Sequence, residues 1–519
     1  MGDDELRLAD LLAALSVTSD LAMGHPPEKA IRACVLATEV ARHMALPEPD
    51  VADAYWTTLL KHLGCTATTH EEAGLFGPDE LGGRPVAERT DVARTSETLA
   101  FLTTVGRGAG LSRARYLART IAGGSTASDA IQRAVCEVAS HTADRLGMGE
   151  GVSRALGESL ERWDGKGAPG HLSGDEIALA ARIAEPATQA VIFDRLGGPE
   201  AATEMADRRA GGWFDPAVAE AVVVTGPRVL GRLATEDPWR LVLDAEPEPV
   251  RRIRADRLDH VAEAFGDLVD LKSTFTLGHS SRVAELAGEA AERLGLPDPG
   301  AVRRAAWFHD LGRAAVATGT WEKRGALTTS EWEQIRLHPY QTERILARSK
   351  VLAPLARIAG MHHERQDGSG YHHGASASEV PIEARILAVA DVYAALTQDR
   401  PHRSARPPDE ATTALDEHGR RGTLDPECVR SVLDVAGQRR RGARTSWPSG
   451  LSDREVEVLR LVARGASNRE IADTLVISAR TAEHHVQHVY AKIGVSTRAG
   501  AAMFAMEHGL LREPMGGAD

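Results

Sequence analysis

The chain has 519 residues, too many for one hydrophobic core, so about three or four domains are expected. A formal net charge of −13 excludes a basic nucleic-acid coat, and 4% aromatic residues favour an all-α fold packed through small and aliphatic side chains over a sheet sandwich. Cys34, Cys65, Cys136 and Cys428 lack CxxC spacing, no secretion signal follows the acidic start Met1-Gly2-Asp3-Asp4-Glu5, and no apolar run is long enough to span a bilayer, so a cytoplasmic protein with reduced thiols and no membrane contact is expected.

Residues 8–45 read as helices, with Leu8, Leu11, Leu12 and Leu15 at helical spacing. Further landmarks of this half are Gly24-His25, Lys61-His62-Leu63-Gly64, Glu161 to Gly167, Arg182-Ile183 and Asp215-Pro216. Prolines between Glu246 and Arg252 block helix continuation and mark a connection over 246–257, after a domain of residues 1–245. A helix from about Asp256 to Lys272 leads into a second domain, 258–437.

That second domain carries the chemistry. His309 and Asp310 stand side by side behind the apolar approach Ala305-Ala306-Trp307-Phe308, with Gly312 and Arg313 next. Gly278-His279 lies upstream, and His338, His362-His363-Glu364 and Asp391 lie downstream, each flanked by helical apolar spacing. Neutral imidazole with carboxylate suits a borderline divalent metal such as Mn, Fe or Zn. Asp367-Gly368-Ser369-Gly370-Tyr371 is a glycine-rich turn able to approach a ligand closely.

These words in this order resemble the HD-GYP subgroup of HD-domain metal phosphohydrolases over roughly residues 258–437. The resemblance implies one metal held by His279, His309, Asp310 and Asp391 and another by Asp310, His338, His362 and His363, with Asp310 the bridge. Some relatives hold a third metal through a glutamate four residues before the first histidine; Phe275 stands there, so two divalent ions (Mn, Fe or similar) are expected. Asp310, Arg313, Asp367, Gly370 and Tyr371 are the implied catalytic and substrate residues. Arg313 replaces the usual lysine and keeps a charge able to bind phosphate bidentately. The resemblance implies phosphodiester hydrolysis with cyclic di-GMP as its best-supported substrate; His372 stands where the family's motif usually has proline after Tyr371, a departure that counts against that substrate. His372, His373 and His402 match no ligand position and read as solvated.

The landmarks of the first half recur in the second. Gly24-His25 answers Gly278-His279, Leu63-Gly64 answers Leu311-Gly312, Glu161 to Gly167 answers Glu364 to Gly370, and Asp215-Pro216 answers Asp425-Pro426. Two copies of one helical domain follow, the first with about forty-five to fifty extra residues around Phe76–Gly124. In the first copy His309-Asp310 becomes Lys61-His62, His362-His363 becomes Ser159-Leu160, Asp391 becomes Thr188, Cys136 lies near the place of His338, and only His25 remains. This copy therefore reads as one that kept the fold and lost the metals: a sensor, a dimer surface, a brake or a packing partner.

Residues 438–450 form a basic Gly/Pro/Ser-containing linker, and 451–519 a final domain of four short helices. Ser452 to Glu455 is a capped helix start; Ala482, Val486, Val489 and Ile493 step inward along the third helix, leaving Arg480, Glu483, His484, Gln487 and His488 facing out. The stretch closely resembles the LuxR-type helix-turn-helix domain, with Arg454, Ser467, Asn468, Arg469, Glu470, Ile471, Ala472, Ser478, Thr481, Val486, Lys492 and Arg498 at motif positions. The resemblance implies double-stranded DNA as partner, phosphate contacts from Thr481, Arg469, Lys492 and Arg498, and a homodimer through the last helix, where Ala501, Ala502 and Ala505 allow close approach. Glu483, where relatives are often basic, can accept from a cytosine amine. The expected protein is a DNA-binding regulator joined to a binuclear-metal phosphohydrolase acting on a nucleotide or cyclic dinucleotide. The alternative is a metal site that senses the nucleotide without turnover and controls DNA binding.

Overall fold

A computed structural model describes residues 5–107, 109–438 and 447–511, in two compact units, 1–260 and 261–519. The expected basic linker falls largely outside the described residues, at 439–446, as do residues 1–4 and 512–519. Among the described residues the only sheet is a pair of three-residue antiparallel strands, Glu5–Arg7 with Arg252–Arg254, which ties the start of the first unit to its end. Everything else regular is helix, as the all-α expectation has it. No described helix is long and apolar enough to cross a membrane.

In the first unit the helix Leu8–Ala22 is buried on every side, with only Asp10 and Leu21 partly exposed. A helix apolar all round can persist only as a core element. It packs on Lys29–His43 and Glu48–Leu60, which in turn hold Leu179–Arg209 and Pro216–Thr235 through alanine, valine and leucine. In the second unit His279–Arg293 packs on Pro299–Phe308, Ile382–Leu396 and Pro426–Gln438, while His338–Leu346 packs on Ala353–Gly360 and the 3-10 turn Leu311–Ala315. Four further helices, Asp453–Ala463, Asn468–Leu475, Ala479–Ile493 and Arg498–Glu507, complete it.

The two units repeat the same local devices. Arg385 pairs with Asp425 at 3.2 Å, and Arg182 with Asp215 at 2.9 Å. Glu364 accepts the N–H groups of His373 and Ala375, and Glu161 those of Gly170 and Leu172. Buried Asp270 accepts the Ser280 N–H at 2.8 Å, and buried Asp20 that of Ala30 at 3.0 Å. The last pair corrects the sequence alignment. It makes Lys29, the first residue of its helix, the counterpart of His279, and puts His25 at the place of Phe275. Likewise, a Cβ on Gly312 would lie 2.0 Å from the His338 carbonyl oxygen and one on Gly64 1.9 Å from that of Val135, so Val135, not Cys136, stands for His338.

With that register none of the second copy's histidine or aspartate donors is matched in kind by the first. What fills the space is a buried ion network. Glu88, on the additional helix Glu80–Arg89, lies 2.6 Å from His25 Nε2, 2.9 Å from Lys29 Nζ and 3.1 Å from His62 Nε2. Lys29 also donates to His62 Nε2 at 2.9 Å, and Lys61 pairs with Glu185 at 2.7 Å. Burial and the nearby Lys29 and Lys61 ammonium groups depress His62 to about 3; burial would raise Glu88, but Lys29, His62 and His25 hold it well below the carboxylate range. Two ammonium groups thus stand in the part of the fold where the other copy gathers metal-type donors.

Candidate metal centre and DNA-binding face

Helix ends bring the donors of the second unit together. His279 and His338 each begin a helix, His309 and Asp310 follow the end of Pro299–Phe308, His362 and His363 follow Ala353–Gly360, and Asp391 lies inside Ile382–Leu396. All are buried except His363, which is half-buried. Asp310 sits between two groups. Its Oδ2 lies 3.5 Å from His309 Nε2 and 4.0 Å from His279 Nε2; its Oδ1 lies 3.4 Å from His338 Nε2 and 3.8 Å from His362 Nε2. Asp391 faces His279 Nε2 at 3.1 Å, His309 Nε2 at 4.0 Å and His363 Nδ1 at 3.8 Å. The structure thus brings all seven sequence-expected donors into one cluster, with one carboxylate presenting an oxygen to each side.

The donor chemistry fits cations. Nδ1 of His309, His338 and His362 lies 2.6, 2.6 and 2.7 Å from the carbonyl oxygens of Ala306, Ile335 and Ala359, each three residues earlier. A carbonyl can only accept, so each Nδ1 carries the proton and each Nε2 turns a lone pair inward. His338 Nε2 and His362 Nε2 then face each other at 3.1 Å, and His309 Nε2 is buried with no hydrogen-bond partner. Opposed lone pairs and an unpartnered buried nitrogen are what a bound dication would satisfy. Burial, then the neighbouring histidines, depresses His362 to about 3 and His363 well below the imidazole range, leaving neutral rings. Burial would raise Asp310, but Arg313, His309 and His338 hold its carboxyl well below the usual range; the His279 hydrogen bond does the same for Asp391.

Several supporting residues escaped the sequence reading. Gln398 Oε1 lies 2.8 Å from His279 Nδ1 and sets that ring. Thr342 donates to the His309 carbonyl at 2.8 Å and accepts the Gly312 N–H at 2.9 Å, locking the His-Asp turn to the helix that carries His338. Its signal was its place four residues after His338, on the same helix face. Arg313 donates to Asp310 Oδ2 at 2.7 Å and lies over the Trp321 ring at 4.2 Å. Arg400 is drawn down to about 10 by burial and then by the like charge of Arg313, with the Asp391 and Asp310 carboxylates opposing that shift. Because Gly312 has no room for a Cβ, Gly312→Ala should push the His338 helix off the His-Asp turn. We expect a loss of about 1–3 kcal/mol in urea unfolding, together with reduced metal uptake.

The glycine-rich turn differs from expectation. Asp367 is exposed and spends its carboxylate on Ser369 N and Oγ, building the turn instead of facing the donors. Gly370 is needed by its own chain, since a Cβ there would lie 2.4 Å from Glu364 Cα; its smallness serves packing, not ligand approach. Tyr371 does reach the cluster, its ring 4.7 Å from that of His363, with Trp332 and Arg336 beside it. His372 is largely shielded, not solvated, and both His372 and His373 face Glu343.

In the last four helices, Ser452 and Ser467 close capping boxes with Glu455 and Glu470, and Ser478 caps Ala479–Ile493 through the Thr481 N–H. Val476 takes the left-handed conformation (φ 55°) between the second and third helices and turns the chain between them. Ala482, Val486 and Val489 point in, while Arg469, Arg480, Thr481, Glu483, His484 and Gln487 are exposed. Lys492 is tied to Glu455 at 2.7 Å and Arg498 to Asn468 and the Ala466 carbonyl, so both brace the domain instead of standing free for phosphate. Ala501, Ala502 and Ala505 are already buried within the chain, so the close-approach surface expected there is occupied.

Comparison with known proteins agrees with this division of labour. Residues 263–428 match the family model described as HD domain, and residues 449–505 that described as bacterial regulatory proteins, luxR family. The 3'3'-cGAMP-specific phosphodiesterase 3 of Vibrio cholerae serotype O1 is 33% identical over 434 residues, 82% of this chain and 94% of that protein. An alignment of that length exceeds either copy alone, so the first half shares the likeness. The cyclic di-GMP phosphodiesterase response regulator RpfG of Xanthomonas campestris pv. campestris is 37% identical over 170 residues, 32% of this chain and 44% of that one. Among solved structures, a cyclic GMP-AMP specific phosphodiesterase of V. cholerae (V-cGAP3) superposes with a TM-score of 0.58 at 28% identity, covering 83% of this chain and 98% of that one.

Proposed function

The chain belongs to the HD-GYP family of cyclic-nucleotide phosphodiesterases and carries a LuxR-type DNA-binding domain after it, and from that premise we propose that it hydrolyses a phosphodiester bond of a 3',5'-linked cyclic dinucleotide and couples that ligand to DNA binding. The enzyme is a metal-dependent phosphohydrolase; the observation that carries the finer reading is Asp310, whose two oxygens face different histidine groups. His279, His309 and Asp391 on one side, and His338, His362 and His363 on the other, would each hold one divalent ion, Mn or Fe, with Asp310 shared. Such an ion pair supplies hydroxide at neutral pH and offsets charge on the attacked phosphate.

The chain's own groups do the rest. Arg313 and Arg400 put positive charge next to the carboxylates, where a phosphate oxygen can bind a guanidinium. Tyr371 and Trp332, with Arg336 over the tyrosine ring, offer an aromatic rim on which a purine can stack. Full-length protein loaded with Mn or Fe should convert cyclic GMP-AMP or cyclic di-GMP to linear product. Tight binding with no product would leave the sensing alternative in its place.

One contact favours coupling to DNA. Gly278, directly before His279, has its N–H 3.2 Å from Met506 Sδ, and a Cβ there would meet Leu511; Gly465 likewise faces Thr274. Ligand held at His279 can therefore bias the helix-turn-helix through its last helix. On DNA, a role that suits a cytoplasmic protein, Arg480, Glu483, His484 and Gln487 would read bases, while Arg469 and Thr481 would hold phosphates. Lys492 and Arg498 would join only on release from Glu455 and Asn468. Arg469→Ala should weaken binding to all sequences alike and lower the salt slope by about 1; Arg480→Ala should cost about 1–3 kcal/mol on the preferred site and relax its selectivity. Salt-titrated fluorescence anisotropy separates the two. Binding as a homodimer would use a surface other than the three buried alanines.

A further inference from the structure

His372 and His373 sit on the loop after Tyr371, and Glu343 faces them from the helix His338–Leu346. Glu343 Oε2 lies 3.0 Å from His373 Nε2 and 3.4 Å from His372 Nε2, and the two imidazole rings are 3.9 Å apart. One ligand-type atom from each of the three residues falls within 4.8 Å of the others. Gly360 makes room for the carboxylate arm: a Cβ there would lie 2.9 Å from Glu343 Cβ. A simple His373–Glu343 hydrogen bond accounts for two of the three residues. It does not account for His372, whose Nδ1 and Nε2 are both buried and make no hydrogen bond. Burying both imidazole nitrogens unpaired is unfavourable, and such groups in native proteins call for an explanation. Burial first, and then the neighbouring His373, lowers the His372 pKa, which keeps a lone pair available on that ring.

We propose that Glu343, His372 and His373 form a separate site for a transition-metal dication of the zinc class. Two neutral imidazoles and one carboxylate are the protein ligands of an open tetrahedral zinc site, with the last position left to water. The site shares no residue with the seven-donor cluster. His373, with its side chain 45% exposed, gives the ion an entry path. The bound ion pins the glycine-rich turn to the helix headed by His338. Tyr371, adjacent to His372, is then held against His363, so the third ion governs how the substrate rim is seated without touching the reacting atoms.

The test uses full-length protein carrying His309→Ala and Asp310→Ala, which disables the main cluster. It is stripped with chelator and titrated with Co²⁺, reading the visible d–d bands and the cobalt retained after desalting. About one equivalent with a tetrahedral-type spectrum is expected. Adding Glu343→Gln or His372→Pro should weaken that binding by at least the ~10- to 100-fold that follows loss of a mere supporting partner. No retained cobalt in a protein with its helical circular dichroism intact, or binding unchanged by both added substitutions, overturns the proposal. If the double variant does not fold, the zinc content of the otherwise unaltered chain decides against His372→Pro, the residue usual here in the family. A fall of about one ion per chain supports the site, and an unchanged count overturns it.

Discussion

Asp310→Ala should abolish cyclic-dinucleotide hydrolysis, with a fall of more than about 10³-fold in kcat/KM, and should strip both ions together. The size follows from position. Losing a partner that merely orients one metal ligand typically lowers affinity or activity by about 10- to 100-fold, and Asp310 faces both histidine groups directly, through different oxygens. Alanine removes both contacts at once and frees Arg313 from its 2.7 Å partner. Metal analysis of the purified variant gives the sharper outcome. Loss of one ion with the other retained would mean that Asp310 serves a single site and that the two-sided reading of its oxygens is wrong. His338→Ala makes the control, since it touches one side only; it should lower metal content by about one ion while leaving the His279–Asp391 contact in place. Circular dichroism checks that each variant keeps its helical content.

The seven donors were legible because each sits in a short local word, and because the helix ends that present them are set by the same words. Proline after His338 suits the first turn of a helix, and Gly312 permits the close crossing of the His338 backbone. What sequence could not supply was register between the copies. Matching Gly24-His25 to Gly278-His279 by letters was attractive, but the buried carboxylates Asp20 and Asp270, which accept the N–H of Ala30 and Ser280, fix the helix starts four residues away from that match. Glycine roles were equally hidden, since Gly370 looked like a ligand approach and is a backbone crossing. Glu88 was out of reach for another reason. It lies in the additional segment that has no counterpart in the second copy, and nothing in its neighbourhood of sequence says that it turns inward toward Lys29, sixty residues or so earlier by chain order. Lys492 and Arg498 carry charge at motif positions, yet whether such a side chain is free depends on the carboxylate and carbonyl opposite it, which only the folded domain reveals.

Glu88→Ala is expected to destabilise the first unit by about 3–5 kcal/mol, far more than a surface charge would. The carboxylate is buried among Lys29, His25 and His62, and its removal leaves the Lys29 ammonium without its anion in a site that water does not reach. Replacing the whole network by apolar residues of similar volume should be close to neutral, because the penalty lies in breaking the set, not in lacking it. The pH dependence has a defined sign. Glu88 titrates well below its ordinary value in the folded chain, so its stabilisation is present above about pH 4.5 and is lost as pH falls through that value toward the folded pKa. His62, depressed to about 3, is neutral when folded but takes a proton when unfolded below about pH 6.5; it therefore removes up to about 1.4 kcal/mol per pH unit as acidity rises between those limits. Buried Asp20, which burial raises to about 7, takes up a proton on folding and offsets His62 between about pH 7 and pH 4, so the first unit should loosen only below about pH 4.5, where Glu88 begins to lose its stabilisation. Hydrogen exchange in peptides from Lys29–His43, followed between pH 5 and pH 3.5 after correction for the intrinsic rate, reads this unit apart from the other. Exchange in Glu88→Ala that matches the parent chain at pH 7 would mean that the ammonium groups find other partners, and that the additional helix Glu80–Arg89 is not what holds the metal-free copy together.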